Sequence, residues 1–564
     1  MLKLQLTPVK RPINMAQPPG GASQKSAQPL VRPDSVIHHA SKLTANDLFN
    51  PSGGLQLLRR VVWFGAASLG FFTVVLIVGR IGVNFDHEWV ESTVVRSIGR
   101  ILDGKGMYPP PSADFVGDGY PPFFHYFCAA ICKLGGNPLI VCRVVSVLCT
   151  LLIAAALYRA AGTFAQPAGG SLDKIIRTFC PLLFGAGWAA GGQTFDLARV
   201  DMLGLALTVW AAFVALHFGS SRSAVLAGLL IACAIVTKHN MVIVGGAIGV
   251  ALLVLNWRHA LIFGAAALVP CSIFFWLLNR ATDGWSGFHL FQQLAANEFG
   301  GQARWIRFIA RDVSWHGLLL FILLAATVAA VWMSSLNSET STRRRLVGLL
   351  SIAVGGLALT ISGRLKIGGY PNNLVPAWTF ALFSLAATLP YLKAWFARTD
   401  DDRRRVWSWT GCAILGGIVF SLATTYSELP LRAFLQVAPR KLALAELRTL
   451  VDKLARHGSV WIPAHAGALP NAEGYAHLCP AGFMIDAANF PIKSIFTADV
   501  IRRLAAREWA AIILDSRDDR FISEPIWQSL AENYRELSWP LGDPDRLVSL
   551  SGKITAPRRL FVRK

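Results

Sequence analysis

VVWFGAASLGFFTVVLIVGRI, residues 61–81, runs directly into GVNFDHEW, residues 82–89. The first run has about the 20 apolar residues that one bilayer crossing needs. Two carboxylates and an imidazole, Asp86, His87 and Glu88, then stand where a membrane helix emerges. Beyond them the period changes to that of an amphipathic helix. Val90, Val94, Ile98, Ile101 and Leu102 fall on one face, Glu91, Ser92, Arg96 and Arg100 on the other, and Gly104 closes the helix. This pattern predicts a helix lying on the membrane surface with an acidic pair at its start. A plainer reading makes Asp86 the helix cap, with Glu88 favoured by the helix dipole.

Composition generalises the first reading. Of 564 residues, 53% are hydrophobic and only 15% charged, against about 25% charged in soluble domains. The apolar residues recur in membrane-length runs, so the chain reads as polytopic. The formal net charge of +21 does not point to nucleic acid. The basic residues are scattered through loops and beside helix ends, where they orient spans and meet anionic lipid. Nine cysteines are present. Only Cys479 lies outside apolar segments, so they form neither a disulfide framework nor a zinc spacing. Cys128 and Cys132, one helical turn apart, read as packing residues.

Residues 1–60 read as a disordered basic cytoplasmic tail, with eight Lys and Arg and no cleavable signal. Eleven spans are predicted: Val61–Ile81, Leu139–Tyr158, Phe179–Gly192, Met202–Phe218, Ala224–Thr237, Met241–Leu255, Leu261–Leu278, Trp315–Met333, Leu346–Ser362, Leu374–Leu392 and Val406–Thr425. Phe123–Leu134 is too short to cross and should dip in or lie flat. The basic clusters Arg343–Arg345 and Arg403–Arg405 mark the inner face. The long loops 82–138 and 279–313 then lie outside, as do Arg199–Asp201, Lys238–Asn240 and Lys366–Asn373. Residues 61–427 would form the multi-spanning unit. Residues 428–564 read as a soluble external α/β domain: helices over Leu442–Arg456, Ala498–Arg507 and Pro525–Glu532, strands over Ser459–Ile462 and Ala510–Leu514.

Polar groups gathered at one membrane face suit a site for an amphiphilic substrate. An enzyme using a lipid-phosphate-linked sugar needs a carboxylate base for an acceptor hydroxyl and cations for the phosphate leaving group. Asp86 and Glu88 can serve as base or metal ligand; Arg199, Lys238 and Lys366 supply charge; Tyr120 and Tyr370 can face sugar. Each has a plainer reading. Arg199 and Asp201 can be a local ion pair, Lys238 can snorkel, Arg364 and Lys366 can be loop charges, and His87 and His239 can be solvated. The run Gly368-Gly-Tyr-Pro-Asn-Asn373 can be a simple turn.

In order, these motifs resemble the lipid-dependent glycosyltransferases of the GT-C fold. The likeness is to the branch of protein O-mannosyltransferases, the lipid A aminoarabinose transferase and bacterial polyprenyl-phosphate-sugar transferases. It is carried by Asp86-His-Glu88, Tyr120-Pro-Pro122, Arg143 with Ser146, Arg199-Val-Asp201, Thr237-Lys238, and Lys366 through Asn373 followed by Pro376, over about residues 61–427. The resemblance implies an inverting transfer from a polyprenyl-phosphate sugar to a lipid, glycan or protein acceptor, on the outer face of the plasma (inner) membrane. Asp86 would be the catalytic carboxylate, Asp201 the second acidic residue, and Lys238 and Lys366 donor-phosphate contacts. His87, His239, Tyr370 and Asn373 complete the expected substrate contacts. Relatives differ in using a divalent ion such as Mg or Mn; its ligands here would be Asp86, Glu88 and Asp201. His87 separates the two acids that adjoin in the aminoarabinose branch, and Pro371-Asn-Asn373 replaces a Tyr-Leu-type run. The sugar and the acceptor therefore stay open.

Two other classes fit less of the chain. A transporter or flippase of a lipid-linked sugar would place charges near mid-membrane in two related halves, and no internal repeat is evident. A noncatalytic scaffold for the C-terminal domain would not need the acidic pair at 86–88.

Overall fold

The computed structural model describes residues 51–88, 90–163, 171–292, 295, 299–334, 340–366, 369–398, 401–427, 429, 437–463, 492–515, 523–550 and 556–564. Cys479, Asn297 and Glu298 lie outside the described residues, as does part of the 366–373 run.

The chain is mostly helical. Among the described residues, fourteen α-helices of six residues or more lie before residue 430: α1 Pro51–Ile81, α2 Glu91–Leu102, α3 Phe123–Cys132, α4 Pro138–Thr163, α5 Ser171–Ala186, α6 Asp201–Phe218, α7 Ser221–Ile235, α8 Val242–Leu255, α9 Trp257–Ala281, α10 Gln302–Arg307, α11 Leu318–Ser334, α12 Thr340–Arg364, α13 Val375–Arg398 and α14 Asp401–Ser427. Among the described residues, seven helices are long and apolar enough to cross a membrane: Gly53–Ile81, Pro138–Gly162, Asp201–Phe218, Trp257–Ala281, Thr340–Arg364, Pro371–Leu392 and Asp401–Ser427. They coincide with seven of the expected spans. The expected spans at 179–192, 224–237, 241–255 and 315–333 fall on shorter elements. α3, at ten residues, reaches only about 15 Å, as expected for a stretch that cannot cross.

Burial separates inner from outer helices. The apolar windows of Asp201–Phe218 and Pro371–Leu392 are each 78% buried, against 22% for Gly53–Ile81 and 17% for Trp257–Ala281. α6 and α13 thus form the centre of the bundle, while α1 and α9 keep apolar faces outward, as helices next to lipid do. The central packing is of small residues against aromatic ones: Ala211, Ala212, Ala381 and Ala386 beside Phe213, Phe380 and Phe383. Cys128 and Cys132 are buried in this core, as expected of packing residues, and the eight described cysteines are free thiols.

α2 departs from the surface-helix expectation. Its polar face is only partly solvated: Glu91 and Ser92 are buried along with Val94 and Ile98, while Arg96 and Arg100 are half-buried. Asp86 is not its cap. The N-cap residue is Val90, with no side-chain cap, and the Asp86 carboxylate instead accepts from Ser92 Oγ. The C-terminal end follows the sequence. Gly104 has φ +73°, and Gly104 and Lys105 donate to the carbonyls of Ile101 and Arg100 at 3.1 and 2.7 Å, a Schellman closure.

After α14 come α15 Val437–Ala455, β1 Val460–Trp461, α16 Ile492–Ala505, β2 Ala511–Leu514, α17 Glu524–Asn533, β3 Tyr534–Leu537 and β4 Arg559–Arg563. The strands form one sheet in the order β1-β2-β4-β3, with β1 parallel to β2 and the other pairs antiparallel. Alternate residues serve opposite faces. Trp461, Ile512, Leu514 and Phe561 pack with Val90, Ala113 and Val116; Val460, Ala511, Ile513 and Leu560 pack with Val83, Phe85 and α15. The sheet is thus built onto the first long loop. Three polar links reinforce this: Leu550 N to His87 O at 2.8 Å, Ala113 N to Asp499 Oδ2 at 2.9 Å, and Arg503 to Asp114 at 2.7 Å.

Candidate active site

The site is assembled where chain segments enter the two central helices. Asp201 opens α6, and Asn372 lies in the 3-10 turn that opens into α13. One oxygen of Asp201 accepts from Lys238 Nζ at 2.7 Å and Asn372 Nδ2 at 3.0 Å. The other accepts from Arg199 Nε at 2.9 Å. Arg199 Nη1 then reaches Glu88 Oε2 at 2.9 Å, and Nη2 lies 3.4 Å from the Tyr120 hydroxyl. Lys238 Nζ stands 5.9 Å from the centre of the Tyr120 ring, a cation–π approach. Residues from five separated segments, Glu88, Tyr120, Arg199–Asp201, Lys238 and Asn372, so form one connected polar cluster.

A second pair holds this cluster in place. Arg143, fully buried on α4, clamps Glu91 at 2.6 and 2.8 Å and donates to the carbonyls of Val83 and Phe85 at 2.5 and 2.8 Å. Glu91 also accepts from His87 N at 2.6 Å and Ala198 N at 2.8 Å. One ion pair thereby fixes both the 83–88 loop and the residue before Arg199. His87 Nε2–H donates to the Arg80 carbonyl at 2.8 Å. Burial, with Arg143 and Arg80 nearby, holds its pKa well below the ordinary value, so it is neutral.

One cavity adjoins the cluster, and a second adjoins the first. The polar one, of about 540 Å³, is lined by Glu88, Arg199, Arg311, Asp312, Arg364 and Tyr370, with Asn372 and Gln193. The apolar one, of about 260 Å³, is lined by Phe195, Phe308, Phe321, Leu357, Trp378 and Leu422 among others. Ala190, Asp312 and Leu374 belong to both walls. Glu88 is the carboxylate of the connected cluster that faces the polar cavity. Burial raises its pKa to about 7, against the opposing effect of Arg199. Arg199 is desolvated too, but Glu88 and Asp201 more than offset this and hold it charged.

The expected site residues therefore divide. Glu88, Tyr120, Arg199, Asp201 and Lys238 come together. Asp86 and His87 are buried behind them, at 0% and 1% exposure, and line neither cavity. Tyr370 lines the polar cavity. His239 packs edge-on to Phe291. Lys366 is set beside Phe299, with its carbonyl accepting from Arg304. Asn373 donates to the Tyr370 carbonyl at 3.3 Å; it is its neighbour Asn372 that reaches Asp201. Asp312 carries no sequence signal and Arg364 leaves both a functional and a loop-charge reading open; in the fold Arg364 Nε donates to Asp312 Oδ2 at 2.7 Å in the cavity wall. The two are 52 positions apart, and no local spacing signals the pair.

The donor set does not fit a divalent ion. Both oxygens of Asp201 are held by cations and an amide, and Glu88 Oε2 by a guanidinium and the Val90 amide. Among the described residues no group of three or more His, Cys, Asp or Glu side chains is placed to hold a metal. Asp86, Glu88 and Asp201 thus do not form the ligand set considered from sequence.

This arrangement, a helical bundle with polar loops gathered over its central helices, is the GT-C fold, which it shares with solved ArnT structures. Residues 120–277 match the family model described as dolichyl-phosphate-mannose-protein mannosyltransferase. ArnT from Cupriavidus metallidurans bound to undecaprenyl phosphate is 11% identical with a TM-score of 0.50, over 90% of this chain and 97% of that one. The apo form of the same protein is 12% identical with a TM-score of 0.52, over 87% and 96%. No curated protein matches the chain in sequence.

Proposed function

We propose that the chain is an integral-membrane inverting glycosyltransferase. It moves a sugar from a polyprenyl-phosphate donor to a hydroxyl of a lipid, glycan or protein acceptor on the outer face of the plasma membrane, where its C-terminal sheet also lies. The observation that carries this reading is the seam between the two cavities. A wall with three guanidiniums, Arg199, Arg311 and Arg364, adjoins an aromatic and aliphatic wall at Asp312 and Leu374. Such a seam suits a ligand with a phosphate between a sugar and a hydrocarbon tail. The solved ArnT bound to undecaprenyl phosphate supports the same ligand class.

In this reading Glu88 takes the acceptor proton as the acceptor oxygen attacks the anomeric carbon from the face opposite the phosphate. The bond from that carbon to the phosphate oxygen breaks, its electron pair stays on the oxygen, and polyprenyl phosphate leaves. The arginines stabilise the charge that develops there. Glu88 is favoured over Asp86 because it faces the polar cavity and because a base is most effective with a pKa near the working pH. Asp201 fixes Arg199 and Lys238, and Asp86 holds the start of α2 through Ser92.

The test uses the full chain in nanodiscs with a panel of radiolabelled polyprenyl-phosphate sugars. Release of the sugar, with transfer when an acceptor extract is added, is the expected result. Vectorial movement of intact donor in sealed liposomes, with no release, would favour a flippase instead.

A further inference from the structure

One carboxylate in the cavity wall, Asp312, has no part in that chemistry. Arg364, the last residue of α12, donates through Nε to Asp312 at 2.7 Å and through Nη1 to the Gly369 carbonyl at 2.6 Å. Asp312 belongs to a π-helical tract, Phe308–Gly317, and its side chain is only 7% exposed. It lines both cavities, whereas Arg364 lines the polar one alone. A carboxylate therefore stands at the seam and occupies the cation that a lipid phosphate there would seek. Any phosphate entering must compete with Asp312 for Arg364.

We propose that Asp312 is a built-in counter-charge that sets the balance between donor and spent lipid. The inference rests on the lipid-phosphate reading above. A sugar-linked donor is a phosphodiester with one negative charge. After the sugar leaves, the lipid is a phosphomonoester carrying about −1.5 to −2 at neutral pH, as other phosphomonoesters do. Without Asp312, the guanidiniums of this wall would hold the monoester more tightly than the donor, and the enzyme would stall on its own product. Coulomb energy scales with the product of the charges. One fixed carboxylate at the seam therefore penalises the doubly charged product about twice as much as the donor, and it re-forms the pair with Arg364 as product departs.

The experiment is equilibrium binding to the purified full chain in nanodiscs at pH 8. The probes are undecaprenyl phosphate and its monomethyl ester, which share the tail and differ by one charge. In the native chain the two should bind within about threefold of each other. Asp312→Asn should tighten undecaprenyl phosphate by about tenfold and the methyl ester by only about threefold, about 1.4 and 0.7 kcal/mol. Asp312→Glu should behave as native, and melting curves report whether each variant is folded. A native preference of tenfold or more for undecaprenyl phosphate would overturn the proposal without recourse to any variant. So would equal gains for both probes, or an unchanged folded Asp312→Asn. Inorganic phosphate at the same concentration should not displace either lipid, and displacement would assign the site to a free anion. If the native chain binds neither lipid, the lipid-phosphate reading falls and this proposal with it. Lipid binding that is indifferent to residue 312 removes only Asp312.

Discussion

Glu88 and Glu91 are three residues apart, both are buried, and each faces an arginine, yet their surroundings drive them in opposite directions. Glu91 accepts two bonds from Arg143 and one each from the His87 and Ala198 amides. Burial alone would raise its pKa, but these donors win and hold it below the ordinary range. Glu88 is bonded by one guanidinium nitrogen and one amide. Burial wins there and raises it to about 7. The difference lies in saturation rather than depth. A carboxylate with its lone pairs filled is a structural anchor, while one that is desolvated but under-bonded and facing a cavity is poised to move a proton.

The largest expected effect tests this contrast directly. Glu88→Gln should still fold and bind donor lipid, because the amide keeps the shape of the side chain, while transfer per molecule falls by about 10²–10⁴-fold. Asp86→Asn should remain within a few-fold of native. The reverse ranking, measured as turnover in nanodiscs, would return Asp86 to the catalytic position.

Glu91 should fail differently. Removing one partner of a buried ion pair costs about 3–5 kcal/mol, so Glu91→Gln should lower the melting temperature sharply and reduce yield. Arg143→Met should do the same. A Glu91→Gln protein with native stability and lost activity would make Glu91 a reacting group and erase the distinction drawn here.

The third effect is in pH. Glu88 acts as a base only when ionised, and its pKa of about 7 puts that change within the working range. The logarithm of kcat/KM should fall with unit slope below about pH 7, roughly tenfold per unit. It should be flat above that until another group titrates. A profile flat from pH 5 to 8 with chemistry limiting would exclude Glu88 as the base.

Much of this was legible in the sequence, for physical reasons that also explain what was not. Membrane-length apolar runs are local signals, so α1, α4, α6, α9, α12, α13 and α14 stand where hydropathy put them. The helices and first two strands of the C-terminal part also lie near where the sequence places them, although α16 starts at Ile492 rather than Ala498. β3 and β4 carried no such signal, because Arg535, Glu536, Arg559 and Arg563 hide the apolar alternation in strands of four and five residues. The polar face of α2 was misjudged because a 3.6-residue period distinguishes faces but cannot reveal that Arg143, 52 positions on, will bury one of them. Docking of the first loop on the sheet is long-range in the same way. Arg199–Asp201 and Lys238 were visible as charges at helix ends, whereas Asp312 had no spacing to betray it.

The smallest expected effect concerns a choice between neighbours that only three-dimensional placement decides. From the sequence, Asn373 was the candidate substrate contact. In the fold its side chain turns back to the Tyr370 carbonyl, and Asn372 reaches Asp201 at 3.0 Å. Asp201 keeps Arg199 and Lys238 when the amide is lost, so the site should loosen rather than collapse. A hydrogen bond to a charged group contributes about 1.5–3 kcal/mol, and with two cations retained the lower end applies. Asn372→Ala should therefore cost about tenfold in kcat/KM. Asn372→Asp should cost more, because it sets a second carboxylate against the first. Asn373→Ala should stay within about threefold, since what it loses is the part-buried turn bond to the Tyr370 carbonyl. If Asn373→Ala proves the more damaging, the turn is itself a substrate contact, and the organising role given to Asp201 at the head of α6 is wrong.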